Sequence, residues 1–232
     1  MSTKDPIEQY YNQKHLTENS RKGYYSEKVQ FIESELAEIS KNKKIKILDI
    51  ACNDGELTAY YGKFGDIIGL DINKQSVKKC QQRGIKCLLG DVSDITDKYK
   101  NKFDVVIAGD IIEHVFDTDK FLQDIIKVLK PDGTLLLTTA NLVSFGRRIM
   151  FALGINPYIE YSSILPTKEY NVGHIRYYTV ENMYHQFNFH KFINTKIYGD
   201  KINLTKQIAI PYSIAKHLPT LSRNIFVRAE RK

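Results

Sequence analysis

No run of eighteen or more apolar residues occurs in the 232-residue chain, which excludes a transmembrane helix. The opening residues, Met1-Ser2-Thr3-Lys4-Asp5, lack the apolar centre of a signal peptide. Cysteine is scarce, and Cys52, Cys80 and Cys87 supply neither an even disulfide framework nor a metal-type pair. These absences point to a reducing, cytoplasmic setting. Internal repeats and low-complexity linkers are also missing, so residues 1–232 are expected to form one domain. No element concentrates basic and aromatic residues together, which argues against nucleic acid as a partner.

What is present suits a globular fold. With 42% hydrophobic and 26% charged residues, the chain has ample material for a core. The net charge of +7 is spread over every segment, and the longest basic cluster, Lys41-Asn42-Lys43-Lys44, precedes a predicted strand. The spread reads as solvation of the surface. The functional alternative is an anionic or lipid-linked small-molecule substrate.

Polar, tyrosine-bearing residues 1–25 are read as a helix and a loop. Apolar Val29, Phe31, Ile32, Leu36 and Ile39 then recur near helical spacing and predict an amphipathic helix over 27–39. Apolar runs at 44–50, 66–71, 85–89, 103–108 and 134–139 read as strands. Helices are expected between them from about Glu56, over 74–83 with Val77 and Cys80 inward, and over 120–129, where Pro131-Asp132-Gly133 gives a turn. Such alternation predicts an α/β architecture, a parallel sheet covered on both faces. After residue 140 the pattern changes. Residues 141–161 are apolar but carry Arg147-Arg148, and 141–155 is read as a lid or cap helix over the substrate pocket, with a membrane-facing helix as the alternative. Tyr158, Tyr161, Tyr170, Tyr177 and Tyr178 accompany it, in and around a loop over 162–178. A helix over 179–188, capped by Thr179 with Asn182, precedes closing strands at 193–198 and 225–229. The domain thus divides into N-terminal helices over a cofactor cleft (1–40), a cofactor-binding core (41–140), a lid and substrate segment (141–190) and closing strands (191–232).

Ligands of open α/β sheets sit outside the carboxyl ends of the strands. Four successive predicted strands end in acidic residues: Asp49 before the turn Ala51-Cys52-Asn53-Asp54-Gly55, then Asp71, Gly90-Asp91, and Gly109-Asp110. Singly, each reads more readily as a turn or helix cap than as a ligand. In series they suit a nucleotide-type cofactor, with Asp71 on the ribose hydroxyls and Asp91 on an adenine amino group. The turn lacks the G-x-G-x-x-G of nicotinamide enzymes, and acidic strand ends repel a pyrophosphate.

At these residues the chain resembles class I S-adenosylmethionine-dependent methyltransferases of the small-molecule subgroup. Ile47-Leu48-Asp49-Ile50-Ala51-Cys52-Asn53-Asp54-Gly55 is similar to their first motif, and Phe103–Ile107 with Ile112-Glu113-His114-Val115 to their fourth. Val128–Thr134 is similar to the segment before their fifth strand, and Gly173-His174-Ile175-Arg176-Tyr177-Tyr178-Thr179 to one before their sixth. The resemblance implies a Rossmann-like three-layer sandwich, with a seven-stranded, mostly parallel sheet whose last strand is antiparallel. It implies S-adenosyl-L-methionine bound by Asp49, Ala51, Asn53, Gly55, Asp71, Ile72, Asp91, Val92 and Asp110. The positive sulfonium and the amino group of this cofactor suit the acidic ends. Ala51 and Asn53 stand where the family has two glycines. An alanine fits if its φ is negative, and asparagine tolerates the left-handed region.

The function implied is methyl transfer to a small molecule, on an oxygen nucleophile. A non-catalytic adenosylmethionine-binding or interaction module, and a methyltransferase acting on RNA or protein, are the alternatives. His114 has the pKa of a general base near neutrality, or else it packs at the start of a helix. His174 forms a second candidate pair with Arg176, and Arg176, Tyr177 and Tyr178 are expected at the substrate. Ubiquinone-biosynthesis O-methyltransferases resemble the chain around Asp110, Glu113 and His114. That resemblance raises a divalent metal at the three residues, although Glu-His is common in members without metal.

Overall fold

A computed structural model describes residues 24–157, 173–205 and 208–232. The segment expected as helix and loop before residue 24, Tyr158, Tyr161, Tyr170 and most of the loop over 162–178 lie outside these residues. Helix α1 (Tyr24–Ser40) buries Phe31, Ile32 and Leu36 as one stripe. It leads into β1 (Ile45–Ile50), α2 (Glu56–Tyr61), β2 (Gly65–Asp71), α3 (Lys74–Gln82) and β3 (Cys87–Leu89). Strand β4 (Phe103–Gly109), α4 (Thr118–Val128) and β5 (Leu129–Ala140) continue the alternation. Then come α5 (Phe145–Ala152), α6 (Val180–Phe189), β6 (Phe192–Gly199), a hairpin of β7 (Ile202–Asn203) and β8 (Ala209–Ile210), α7 (Tyr212–Ala215) and β9 (Asn224–Arg231).

Seven strands form one sheet in the order β3-β2-β1-β4-β5-β9-β6. All pairs from β3 to β5 are parallel, and β9 runs antiparallel to both β5 and β6. The chain walks outward from β1 to β3 and then returns to place β4 on the other side of β1. This reversal opens a crevice at the carboxyl ends of β1 and β4.

Period-two alternation sends each strand's side chains to two cores. Ile45, Ile47, Val105, Ile107, Leu136 and Phe226 face α1 and Tyr61 of α2. Leu48, Val106, Ala108, Leu135, Leu137 and Val227 face Phe121, Leu122 and Ile125 of α4 and Met183 and Phe187 of α6. Capping fixes where the helices begin. Asn73 accepts from Gln75 and Ser76 N–H ahead of α3, Asp117 accepts from Lys120 N–H in α4, and Thr179 and Asn182 bond each other's backbone at α6.

The structure adds to the sequence reading in three places. Pro131-Asp132-Gly133 does turn the chain, with Asp132 at φ +60°, but inside the long β5. The register passes from Phe103–Leu129 to Val105–Thr134, so residues 130–133 bulge out of the ladder. Helix α5, within the segment read as a lid, buries none of its residues and leaves Ile149 and Phe151 exposed. The three cysteines, far apart in sequence, come together because β1, β2 and β3 are neighbours. Among the described residues no helix is long and apolar enough to cross a membrane.

Leu36 is fully buried where α1 meets the sheet. Leu36→Ala is expected to lower the unfolding free energy by about 2–5 kcal/mol, read as a lower denaturant midpoint with an unchanged slope.

Candidate functional site

The turn after β1 is built from left-handed residues. Ala51, Asn53 and Gly55 have φ of +57°, +52° and +78°. Asn53 does what its side chain allows, but Ala51 contradicts the negative φ expected of it. An alanine there carries the steric cost of the left-handed region, about 1–2 kcal/mol. The reason lies in the turn's partners. Cys52 N–H bonds the Leu70 carbonyl at 3.2 Å, and Asn53 N–H bonds Asp71 Oδ2 at 2.8 Å. Both bonds pull the chain back over β2 immediately after Ile50. Gly55 is the one position in the turn with no room for a side chain, because a Cβ would lie 2.5 Å from Cys80 Sγ.

Asp71 ends β2 with both oxygens engaged, Oδ2 by Asn53 N–H and Oδ1 by Asn73 N–H at 2.8 Å. Burial raises its carboxyl pKa, and the two N–H bonds oppose the rise. Beside it Ile72 and Leu89, at the ends of β2 and β3, are exposed apolar side chains. Asp91 starts a short helical turn over Val92–Ile95, accepting from Ser93 N–H at 3.0 Å, and Asp94 bonds back to Asp91 N–H at 2.7 Å. Asp91 is exposed and Val92 is buried. Both capping and ligand roles are therefore open to Asp91, whereas Val92 offers a ligand its backbone.

Asp49, at the heart of the crevice, is buried and accepts the Thr58 hydroxyl at 2.6 Å. Desolvation pushes its carboxyl up to about 6, against the pull of the Thr58 bond and the Lys28 charge. Asp110, at φ +54°, accepts the Thr138 hydroxyl at 2.7 Å and pairs with Lys28 Nζ at 3.0 Å. The Lys28 side chain is only 10% exposed. Lys28, Thr58, Thr138 and Leu89 are the site residues that the sequence reading passed over. Lys28 carries a legible signal, since it falls on the same helical stripe as Phe31, Ile32 and Leu36. A charge on a buried stripe needs a buried partner.

Beyond Asp110 the chain makes a short helical turn over Ile112–His114. Glu113 is buried, accepts the Thr139 hydroxyl at 2.9 Å, and lies 3.9 Å from His174 Nε2. Its backbone carbonyl accepts Ile175 and Arg176 N–H, which pins the 173–178 segment to the end of β4. His114 Nδ1 lies 3.1 Å from the Gly173 carbonyl, and the His114 and His174 rings meet edge to face at 4.9 Å. The structure thus groups Glu113 with both histidines within ligand reach of one another, while Asp110, expected alongside Glu113 and His114, stands outside that group with Lys28 and Thr138. Tyr177 lies edge-on to His174. The Arg176 guanidinium donates to the Val115 and Phe116 carbonyls, and so braces the loop. Tyr178, expected at the substrate, is 6% exposed and packs in the core with Met183 and Phe187.

Residues 41–169 match the family described as "Methyltransferase domain". The human mitochondrial ubiquinone biosynthesis O-methyltransferase is 33% identical over 132 residues, covering 53% of this chain and 35% of that protein. The ubiquinone biosynthesis O-methyltransferase of Pelagibacter ubique is 33% identical over 104 residues, 43% of each chain. The chain therefore spans less than half the length of these curated relatives. A SAM-dependent methyltransferase of Thermotoga maritima, described as a possible histamine N-methyltransferase, shares the fold with a TM-score of 0.63. It covers 97% of this chain and 100% of its own, at 14% identity.

Two predictions follow from this geometry. Ala51→Gly removes the left-handed strain, and glycine's extra unfolded-state freedom returns about 0.5–1 kcal/mol of it. The variant is expected to gain roughly 0.5–1 kcal/mol in chemical denaturation. Burial, with the Asp110 charge adding to it, pushes the Glu113 carboxyl up to about 8 from an ordinary 4.5. Within that window the folded chain holds a proton that the unfolded chain has released, so this group's stabilisation is lost as pH rises toward about 8. Glu113→Gln is expected to flatten the fall in melting temperature across the same pH range.

Proposed function

The chain belongs to the methyltransferase-domain family, its cofactor is S-adenosylmethionine, and we propose that it moves the methyl group onto an oxygen of a small molecule. When bound, the cofactor supplies a methyl group on a positively charged sulfur, whose departure needs no acid. The observation that carries the reading is the row of carboxylates Asp49, Asp71, Asp91 and Asp110 along one sheet edge, with the buried cation Lys28 among them. An acidic edge of this kind suits a ligand that is itself cationic, and it disfavours a pyrophosphate.

The residues fit the group in order along the edge. Asp71, already oriented by two backbone N–H groups, has acceptor capacity left for the ribose hydroxyls. Ile72 and Leu89 offer exposed apolar surface for an adenine face, with Asp91 and the Val92 backbone at its polar rim. The left-handed turn of Ala51, Asn53 and Gly55 lets backbone approach the nucleoside closely. Asp49 and Asp110 accept from the cofactor's amino group, and Lys28 pairs with its carboxylate. At the far end, His114 presents Nε2 when its Nδ1–H donates to the Gly173 carbonyl, and Nε2 takes the acceptor's hydroxyl proton. His174, held beside the largely protonated Glu113, positions the His114 ring, and Tyr177 with Arg176 closes that side of the pocket.

The names of the curated relatives favour a hydroxylated aromatic ring of quinone type as the acceptor. An anionic or lipid-linked form of it accords with the chain's +7 charge. Incubation with methyl-labelled cofactor and a panel of catechols and phenols is expected to place label on a phenolic oxygen. Label found only on RNA or protein would overturn the small-molecule reading. Asp71→Ala is expected to weaken cofactor binding in calorimetry by about a hundredfold or more, the loss of two hydrogen bonds to a charged acceptor. His114→Ala should leave that affinity within about threefold while lowering turnover by roughly 10²–10⁴. A His114→Ala enzyme with full turnover would remove the histidine from the chemistry.

A further inference from the structure

Directly beneath the cofactor turn lies a second constellation that methyl transfer does not use. Cys52 follows β1, Cys80 lies on α3 and Cys87 on β3, and all three are free and buried. Their sulfurs lie within 4.8 Å of one another, and Cys52 and Cys87 Sγ are 3.4 Å apart. Their walls are Val77 and Ile85. Two glycines leave room for the sulfurs. A Cβ on Gly69 would stand 2.7 Å from Cys52 Sγ and 3.2 Å from Cys87 Sγ, and one on Gly55 would stand 2.5 Å from Cys80 Sγ. The sulfurs therefore occupy space that a side chain would otherwise fill in the middle of β2.

A disulfide is the first alternative, and strand geometry disfavours it. Cys87 pairs with Gly69 on one flank of β2, and Cys52 bonds the Leu70 carbonyl on the other. With the two cysteines on opposite flanks of β2, closing their 3.4 Å sulfur contact to a bond of about 2.0 Å would require backbone movement. A metal spans the same gap without such movement. At a metal–sulfur distance of about 2.3 Å, sulfurs around a three-coordinate ion lie about 4 Å apart. That spacing falls between the closest observed pair and the outer limit of the cluster.

We propose that Cys52, Cys80 and Cys87 form a binding site for one thiophilic divalent d10 metal ion. Three thiol ligands with no carboxylate or imidazole among them select soft ions over magnesium or manganese. Each thiol releases its proton to solvent as it ligates, and no electron changes hands. A divalent ion leaves one net negative charge in the apolar pocket and a monovalent ion leaves two, so the divalent ion is the cheaper one to bury. The occupied site ties the floor of the cofactor turn to β3 and α3 through Cys52, between the left-handed Ala51 and Asn53.

Anaerobic titration of the reduced full chain with Cd(II) tests the site. The expected result is a thiolate-to-cadmium charge-transfer absorption that saturates at one Cd(II) per chain, with X-ray absorption showing three sulfur neighbours. Cys80→Ala and Cys87→Ala are each expected to weaken Cd(II) binding by more than about tenfold. No saturable absorption, fewer than three sulfur neighbours, or unchanged affinity in Cys80→Ala would overturn the proposal. If the variants fail to fold, the sulfur count on the unaltered chain decides alone.

Discussion

The 2.8 Å hydrogen bond from Asn53 N–H to Asp71 is the constraint on which the site depends. Together with the Cys52 N–H bond to the Leu70 carbonyl, it joins the turn after β1 to the end of β2 once the ladder ends at Ile50 and Leu70. Meeting it requires the chain to double back at once, and left-handed conformations at Ala51 and Asn53 are the means. The same bond aims the Asp71 carboxylate, and the doubling back drives Cys52 under β2 toward Cys87. The left-handed turn, the aim of the Asp71 carboxylate and the approach of Cys52 to Cys87 therefore follow from the hydrogen bonds that draw the turn over β2.

Electrostatics explains why the surroundings are built as they are. Asp49, Asp110 and Glu113 crowd one end of the crevice, and burial, with the charge of a neighbouring carboxylate adding to it, drives the Asp49 and Glu113 carboxyls upward. Threonine hydroxyls from α2 and β5 answer each of the three, through Thr58, Thr138 and Thr139. Lys28 supplies the compensating charge, and α1 delivers it because its own apolar stripe docks on Ile47 and Ile107. Hydrophobic packing thus sets the position of a cation, and the cation offsets the charge of the acidic edge through Asp110.

Much of this was legible before any coordinates. Alternating apolar strands and helices, with acidic residues at four strand ends, led to the sheet, to Asp49, Asp71, Asp91 and Asp110, and to the capped helix at Thr179. What escaped depends on long-range contacts that local pattern does not encode. The φ of Ala51 is set by Asp71, eighteen residues beyond Asn53. The convergence of the cysteines depends on strand order and not on their spacing. Tyr178 reads as a site residue by its neighbours in sequence, and its burial beside Met183 and Phe187 of α6 is not visible in local pattern. Lys28 was the residue most within reach, since a lysine on an apolar stripe announces a buried anion.

The central claim is that the acidic strand ends hold the adenosylmethionine scaffold with Asp71 on the ribose and Lys28 on the carboxylate. A crystal structure of the chain with S-adenosylhomocysteine tests it most directly. The account predicts both ribose hydroxyls within hydrogen-bonding distance of Asp71, adenine over Ile72 and Leu89, and Lys28 drawn from Asp110 toward the ligand's carboxylate. A nucleoside bound away from Asp71, or a ligand carboxylate that leaves the Lys28–Asp110 pair as it is, would contradict it.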